Sequence, residues 1–301
     1  MYPRFLVIGA QKAGTTWLDR NLRTHPQIWL PPEKEIHYFD LPRPLPFAAL
    51  LLAPVRAARH WTLARLKRDY AKVKAGEQSM RWYLRYYFAP RTRCWYRSLF
   101  TPESGQIAGE TTPRYAVLPQ GTIRQIKRMM PDLKLIYLLR DPIDRMWSDM
   151  AMFHGRRFGG EGLRNSEAES VEEFLFNEEH LAHSCYHANL SRWRQQFDPS
   201  KIFLGFQEEI ARDPAELLKR IFAFLDVDTS HQPPPSLQSS KINSARYPAL
   251  PPAIGRRLAA ELRTDTAQLQ AELESPFVAA WLDRMDNLRS DKRTAEAAAA
   301  S

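Results

Sequence analysis

The stretch that most restricts the fold is Arg4–Trp17, RFLVIGAQKAGTTW. Its first part, Phe5–Gly9, is apolar throughout and too short for a helix. Such a run reads as a strand covered on both faces, inside a parallel sheet. Two glycines separated by four residues follow, then two hydroxyls, in GAQKAGTT. TTWLDRNLRTHP then reads as a helix that Pro26 stops. A strand, a glycine loop and a helix start in succession present backbone N–H groups at a helix N-terminus, which makes an anion site. A plain strand–helix turn has the same outline, so the rest of the chain has to decide.

Further strands are expected at QIWL, Ile107–Glu110, Lys134–Arg140 and Lys201–Glu209. GTIRQIKRMMP, DPIDRMWSDMAMFH and DPAELLKRIFAFL read as helices. Asp141 and Asp213 are their expected N-caps, with Pro142 and Pro214 in the first turn and Glu216 three residues after its cap. Alternating strands and helices predict an α/β fold, a parallel sheet with helices on both faces. Residues 41–105 interrupt the alternation and read as an inserted helical segment. Residues 155–185 read as a mobile flap before an amphipathic helix, and the low-complexity end, 291–301, as a disordered tail.

The charge is concentrated in the insert. The chain of 301 residues carries a net charge of +9, and residues 41–105 hold 13 of the 43 Lys/Arg but only 3 of the 34 Asp/Glu. The same segment holds 11 aromatics, among them Trp61, Trp82, Tyr83, Tyr86, Tyr87, Phe88 and Trp95. Two readings compete: a solvated basic face over ordinary core aromatics, or a docking surface for an anionic or sugar-like partner. Hydrophobic content of 44% excludes a disordered chain. Cys94 and Cys185 lack metal-ligand spacing, which points to a reducing, cytoplasmic setting. No signal peptide is visible, and PLPFAALLLAPV is too short and too rich in proline to span a bilayer. It could lie on a membrane surface as a peripheral contact, or form a hydrophobic wall.

The position of one lysine narrows the chemistry. A triphosphate-binding loop of this shape carries lysine directly after the second glycine. Here that position is Thr15, and the lysine is Lys12, on the loop itself. No second-strand aspartate stands out as a magnesium holder. Arg140 ends a buried strand, where parallel α/β sheets place ligands, and Ser148 follows two helical turns after Asp141. Arginine with a hydroxyl suits a phosphate monoester. In PEKEIHYFD, an extended backbone would put Glu33, Glu35, His37 and Phe39 on one face. A carboxylate beside an imidazole makes a general-base pair. SSKINSARYP, with Lys241 and Arg246, either closes over a phosphate or is a simple loop.

Together these segments resemble the sulfotransferases that use 3′-phosphoadenosine 5′-phosphosulfate (PAPS). The bacterial and glycosaminoglycan-type, heparan sulfate-like members are the most similar. The resemblance covers most of 4–40, 106–154 and 186–248, and implies a P-loop-like single domain over 1–290 with residues 41–105 on the acceptor side. It implies that Gln11, Lys12, Ala13, Gly14, Thr15, Thr16 and Trp17 form the 5′-phosphosulfate loop, and that RDPIDRMWSD supplies Arg140 and Ser148 to the 3′-phosphate. EKEIHYFD resembles the base-carrying segment, which makes Glu35 the base and His37 its neighbour. Trp17 or Tyr186, the latter in CYHANLSRWRQQF, would stack on adenine, and Lys241 and Arg246 would close on the donor. The implied reaction moves the sulfuryl group in line to a hydroxyl of a carbohydrate, glycolipid or small molecule, and releases 3′-phosphoadenosine 5′-phosphate (PAP). Lys12 would neutralise the bridging oxygen, with no metal and no nucleic acid involved. Two segments depart from the family pattern: Thr111 in GETTPRY stands where many members have lysine, and SKINSAR replaces Ser-Lys-Gly-Arg. The acceptor is therefore left open. A P-loop-type nucleotide kinase, and a basic nucleic-acid or membrane-surface binding protein, are the rival classes.

Overall fold

The computed structural model describes residues 1–40, 63–76, 78–158, 168–238 and 249–299. Strands β1 (Phe5–Gly9), β2 (Ile28–Trp29), β3 (Ile107–Thr111), β4 (Lys134–Leu139) and β5 (Ile202–Phe206) form one sheet in the order β2-β3-β1-β4-β5. Every pairing is parallel. Helix α1 (Thr15–Leu22) follows β1, and α2 (Leu63–Lys74), α3 (Met80–Phe88) and α4 (Arg93–Ser98) fill the insert. Between β3 and β4 lies α5 (Gln120–Met129), and after β4 come α6 (Pro142–Phe158), α7 (Ala168–Leu175), α8 (Glu178–Ala182) and α9 (Tyr186–Arg194). Beyond β5 are α10 (Gln207–Arg212), α11 (Pro214–Phe224), α12 (Pro235–Gln238), α13 (Pro252–Leu273) and α14 (Pro276–Ala299).

All five residues of β1 and the last five of β4 are buried. Successive strand residues point to opposite faces, so both faces of the sheet are covered, as an unbroken apolar run requires. From β1 the chain reaches β3 on one side and β4 on the other. The order therefore reverses at β1, and a crevice opens beyond the C-terminal ends of the strands. Pairing Phe5 with Gly109 draws the two backbones close; a Cβ on Gly109 would lie 2.0 Å from the Phe5 ring. Gly109→Ala is expected to cost about 1–3 kcal/mol of stability, because β1 and β3 have to part to admit the methyl. Chemical denaturation should show a lower midpoint at an unchanged slope.

Both expected caps form. Asp141 accepts from the N–H groups of Ile143 and Asp144, at 2.9 and 3.0 Å, and Asp213 from that of Glu216 at 3.0 Å. Several boundaries differ from the sequence reading. β2 shrinks to two residues. β5 ends at Phe206, since the Glu209 carboxylate accepts the Phe206 N–H at 2.8 Å and starts α10 there. The backbone of α14 stays helical to Ala299, where a disordered tail was expected; alanine is the strongest helix former. The expected flap is helical in α6 up to Phe158 and again from Ala168, and residues 159–167 lie outside the described ones.

Most of the insert's described aromatics are core. Trp82, Tyr83, Tyr86, Tyr87, Trp95 and Tyr96 are buried, with Trp82 stacked on Tyr86 at 4.9 Å and Tyr96 on Tyr38 at 4.4 Å. Phe88 and Tyr70 are the exceptions, 68% and 41% exposed. Trp61 and the run Leu45–Val55 lie outside the described residues. No described helix is long and apolar enough to cross a membrane.

Candidate active site

β1 delivers its loop to the crevice. The backbone turns through two left-handed residues, Lys12 (φ 68°) and Gly14 (φ 95°), before α1 begins at Thr15. A Cβ on Gly14 would lie 2.4 Å from Ile210 Cδ1, so space as well as φ calls for glycine. The Ala10 N–H donates to the Leu138 carbonyl at 2.6 Å and fastens the loop to β4. Arg140, one residue past β4, donates from Nη1 to the Lys12 carbonyl at 3.0 Å, and the Tyr186 hydroxyl donates to the Arg140 carbonyl at 2.9 Å. Lys12, Arg140 and Tyr186 thus share one chain of hydrogen bonds. The Lys12 ammonium meets the Met152 thioether of α6 at 3.6 Å, a weak acceptor. Ser148, also on α6, is 4% exposed.

The Glu33–Phe39 segment departs from the extended strand that the sequence suggested. Glu35 (φ 64°) and His37 (φ 55°) are both left-handed. Glu33 therefore leaves the shared face: it is buried and faces Lys72 Nζ at 3.4 Å and Arg68 Nη2 at 3.5 Å, both on α2. Phe39 packs against Tyr96 and Tyr115. The same kinks bring Glu35 and His37 together. The Glu35 N–H donates to the Thr111 carbonyl at the end of β3, at 2.9 Å. His37 Nε2 lies 3.4 Å from Glu35 Oε2, and Nδ1 lies 2.7 Å from Asp40 Oδ2. Each ring nitrogen faces a carboxylate, and only the imidazolium can donate to both. Burial by itself would push the His37 pKa down, but the bonds to Asp40 and Glu35 outweigh it and lift it to about 9. Burial likewise pushes Glu35 up, and His37 and Lys34 reverse this and hold its carboxyl below the usual range.

Lys34 is the residue that sequence reasoning passed over. Its Nζ donates to Thr16 Oγ1 at 2.9 Å and lies 3.6 Å from Glu35 Oε1. Burial lowers its pKa. On an extended strand, neighbours point to opposite faces, so Lys34 could not have joined Glu35; the left-handed Glu35 allows it. The insert holds the same segment from the other side, where Arg91 Nη2 donates to the carbonyls of Ile36 at 3.1 Å and His37 at 2.7 Å.

GETTPRY forms the floor. Glu110 is fully buried and accepts hydrogen bonds from Thr112 at 2.7 Å, Tyr115 at 2.7 Å and Tyr96. Burial pushes its pKa up against those donors. The Tyr115 hydroxyl in turn accepts the Tyr38 N–H at 2.9 Å, so this buried carboxyl props up the His37 segment. Thr111, where the resemblance leads one to expect lysine, leaves its buried Oγ1 without a hydrogen-bond partner and uses its carbonyl to hold Glu35.

At the nucleotide end, the residues expected to stack on adenine are part of the core. Trp17 is 3% exposed and Tyr186 1%, both within the main core, so neither ring has an open face for adenine. Lys241 and Arg246 lie outside the described residues.

Comparison with known proteins agrees with this geometry. Residues 3–231 match the family described as the Sulfotransferase family. The crystal structure of a sulfotransferase from Alicyclobacillus acidocaldarius superposes with a TM-score of 0.65 at 26% identity, covering 93% of this chain and 99% of that one. Heparan sulfate glucosamine 3-O-sulfotransferase 3B1 of Mus musculus is 27% identical over 74% of this chain and 46% of its own length. The membrane-associated sulfotransferase kil1 of Dictyostelium discoideum is 29% identical over 60% of this chain and 27% of its own. The chain thus spans less than half the length of these two curated relatives. A loop with a displaced lysine at a parallel-sheet switch point, facing a carboxylate–imidazole pair, accompanies a family match over most of the sequence: the chain belongs to the sulfotransferase family.

Proposed function

We propose that this sulfotransferase takes PAPS as donor and moves the sulfuryl group to a hydroxyl on the side of the insert. The contact that carries the reading is Lys34, which joins Thr16 of the loop to Glu35. An anion held by the loop is thereby set beside an ionised carboxylate. The groups present fit such a donor: loop N–H groups, Thr15 and Thr16, Lys12 and Lys34 for the 5′ end, and Arg140 with Ser148 for the 3′-phosphate. Bound there, the donor supplies an activated sulfuryl group and a phosphate that can leave. Glu35 takes the proton of the acceptor hydroxyl, and the His37 imidazolium, held between Glu35 and Asp40, fixes the direction of that carboxylate. Lys12 offsets the charge that grows on the bridging oxygen. Fixed cations and N–H dipoles do this without a metal.

The acceptor class that fits is a hydroxylated carbohydrate, glycolipid or small molecule, and the relatives named for heparan sulfate glucosamine favour a carbohydrate. The free cysteines, Cys94 and Cys185, suit the reducing cytoplasm. A thermal-shift series tests the donor. PAP should raise Tm in the presence of a chelator, and Arg140→Ala should weaken PAP about 10–100-fold, as loss of a charged hydrogen bond does. Stabilisation by ATP with magnesium but not by PAP would make the protein a kinase. Transfer of labelled sulfate from PAPS to a panel of acceptors then names the product.

A further inference from the structure

We infer that the exposed face of α3 is a docking surface for an anionic lipid bilayer. The nine residues of α3 divide into two arcs. Trp82, Tyr83, Tyr86 and Tyr87 are buried in the insert's aromatic cluster and fix how the helix is rolled. The other arc carries Met80, Leu84 and Phe88, exposed by 42%, 49% and 68%. Spaced four apart, they form one stripe. Arg81 is exposed beside them, and half-buried Arg85 donates to the Ser98 carbonyl at 2.5 Å. Tyr70 of α2, 41% exposed, extends the patch through Tyr83, whose ring lies 5.9 Å from Tyr70 and 6.2 Å from Phe88. The Lys74 ammonium lies over the Tyr70 ring at 5.2 Å.

Charge selects the partner. Described residues 66–100 include nine Lys/Arg, while their acid, Asp69, is buried and held by Arg68 and Tyr87. Glu77 lies outside the described residues. Arg68 and Lys72 are taken up by Glu33 and Arg91 by the His37 carbonyl, so the described cations beside the stripe are Arg81, half-buried Arg85 and Lys74. An apolar stripe fringed by arginines matches a lipid interface, in which apolar side chains pass the headgroups and guanidinium groups stay level with the phosphates. A polyanion in solution would engage the cations and leave Met80 and Leu84 unused. Three residues beyond α3, Arg91 holds the His37 carbonyl, so the patch lies on the same lobe that supports the crevice. Seated on a bilayer, the chain would work on hydroxyls at the lipid surface. The inference does not depend on which donor is bound.

Vesicle co-sedimentation of the whole chain is the test, with phosphatidylcholine vesicles made with and without phosphatidylserine. The wild type should sediment with the phosphatidylserine vesicles and be released by salt. Arg81→Gln should weaken this about fivefold, and Leu84→Glu with Phe88→Glu should abolish it at an unchanged melting temperature. The milder pair Leu84→Ser and Phe88→Ser covers the case in which the acidic pair fails to fold. Three results would overturn the inference: no vesicle binding by the wild type, equal binding by the serine pair, or a wild-type dimer that the serine pair dissociates. The last would assign the stripe to a second copy of the chain.

Discussion

Replacing Glu35 by glutamine is expected to lower kcat about 10²–10⁴-fold and leave PAP affinity close to that of the wild type. The amide keeps the shape of the side chain and can still accept from His37, but it cannot take a proton from the acceptor. The backbone anchor, the Glu35 N–H on the Thr111 carbonyl, is untouched. Full turnover by Glu35→Gln would transfer the role of base to another group. The pH profile of kcat/KM is a second measure of the same arrangement. Glu35 has its pKa held down, so the acid limb should fall below the ordinary carboxylate range. His37, lifted to about 9, should set the alkaline limb there, and Asp40→Asn should move that limb to lower pH by removing one of the groups that raises it. Stability follows the same signs. The contribution of His37 is full below its unfolded pKa of about 6.5 and is lost as pH rises through about 9. That of Glu35 is present above its unfolded value of about 4.3 and is lost as pH falls.

Lys12→Met is expected to cost about 10²–10³ in kcat, again with little change in PAP affinity. Methionine retains most of the side-chain length and removes the charge. Both residues carry a Cβ, so the left-handed backbone at this position is strained equally in each. The loop N–H groups and Arg140 remain to hold the ground state. Charge on the bridging oxygen appears only as the sulfur–oxygen bond stretches, and there a missing cation is felt most. Single-turnover rates at saturating PAPS measure the step directly. A variant with normal turnover and weakened PAP binding would reduce Lys12 to a ground-state contact.

The scaffold of the site was legible in the sequence because short-range rules govern it. An apolar pentad bounded by glycine is too short for a helix and suits a covered strand, and Asp141–Pro142 and Asp213–Pro214 each open a helix. The glycine loop, Lys12 and Arg140 followed from those elements, since parallel strands deliver their ends to one crevice. What escaped depends on dihedral angles that composition does not encode. Nothing in EKEIH announces positive φ at Glu35 and His37, and an extended reading put Glu33 on the face of Glu35 and His37 and Lys34 on the opposite one. The structure reverses both. Trp17 and Tyr186 were likewise drawn to the nucleotide by position, whereas large rings next to a covered sheet are claimed first by the core. The insert's aromatics divide the same way, and exposure separates Phe88 from its buried neighbours.

Arg68 and Lys72 of α2, through Glu33, and Arg91 beyond α3 grip the Glu35–His37 segment from the insert. If the insert faces the acceptor and Glu35 is the base, as proposed, substrate choice and turnover are not independently adjustable in this scaffold. A chimaera that exchanges residues 63–100 for another lobe should displace the Glu35–His37 pair unless it also keeps the partners of Glu33 and the guanidinium at position 91. Divergence toward new acceptors would have to proceed by small edits around those fixed points.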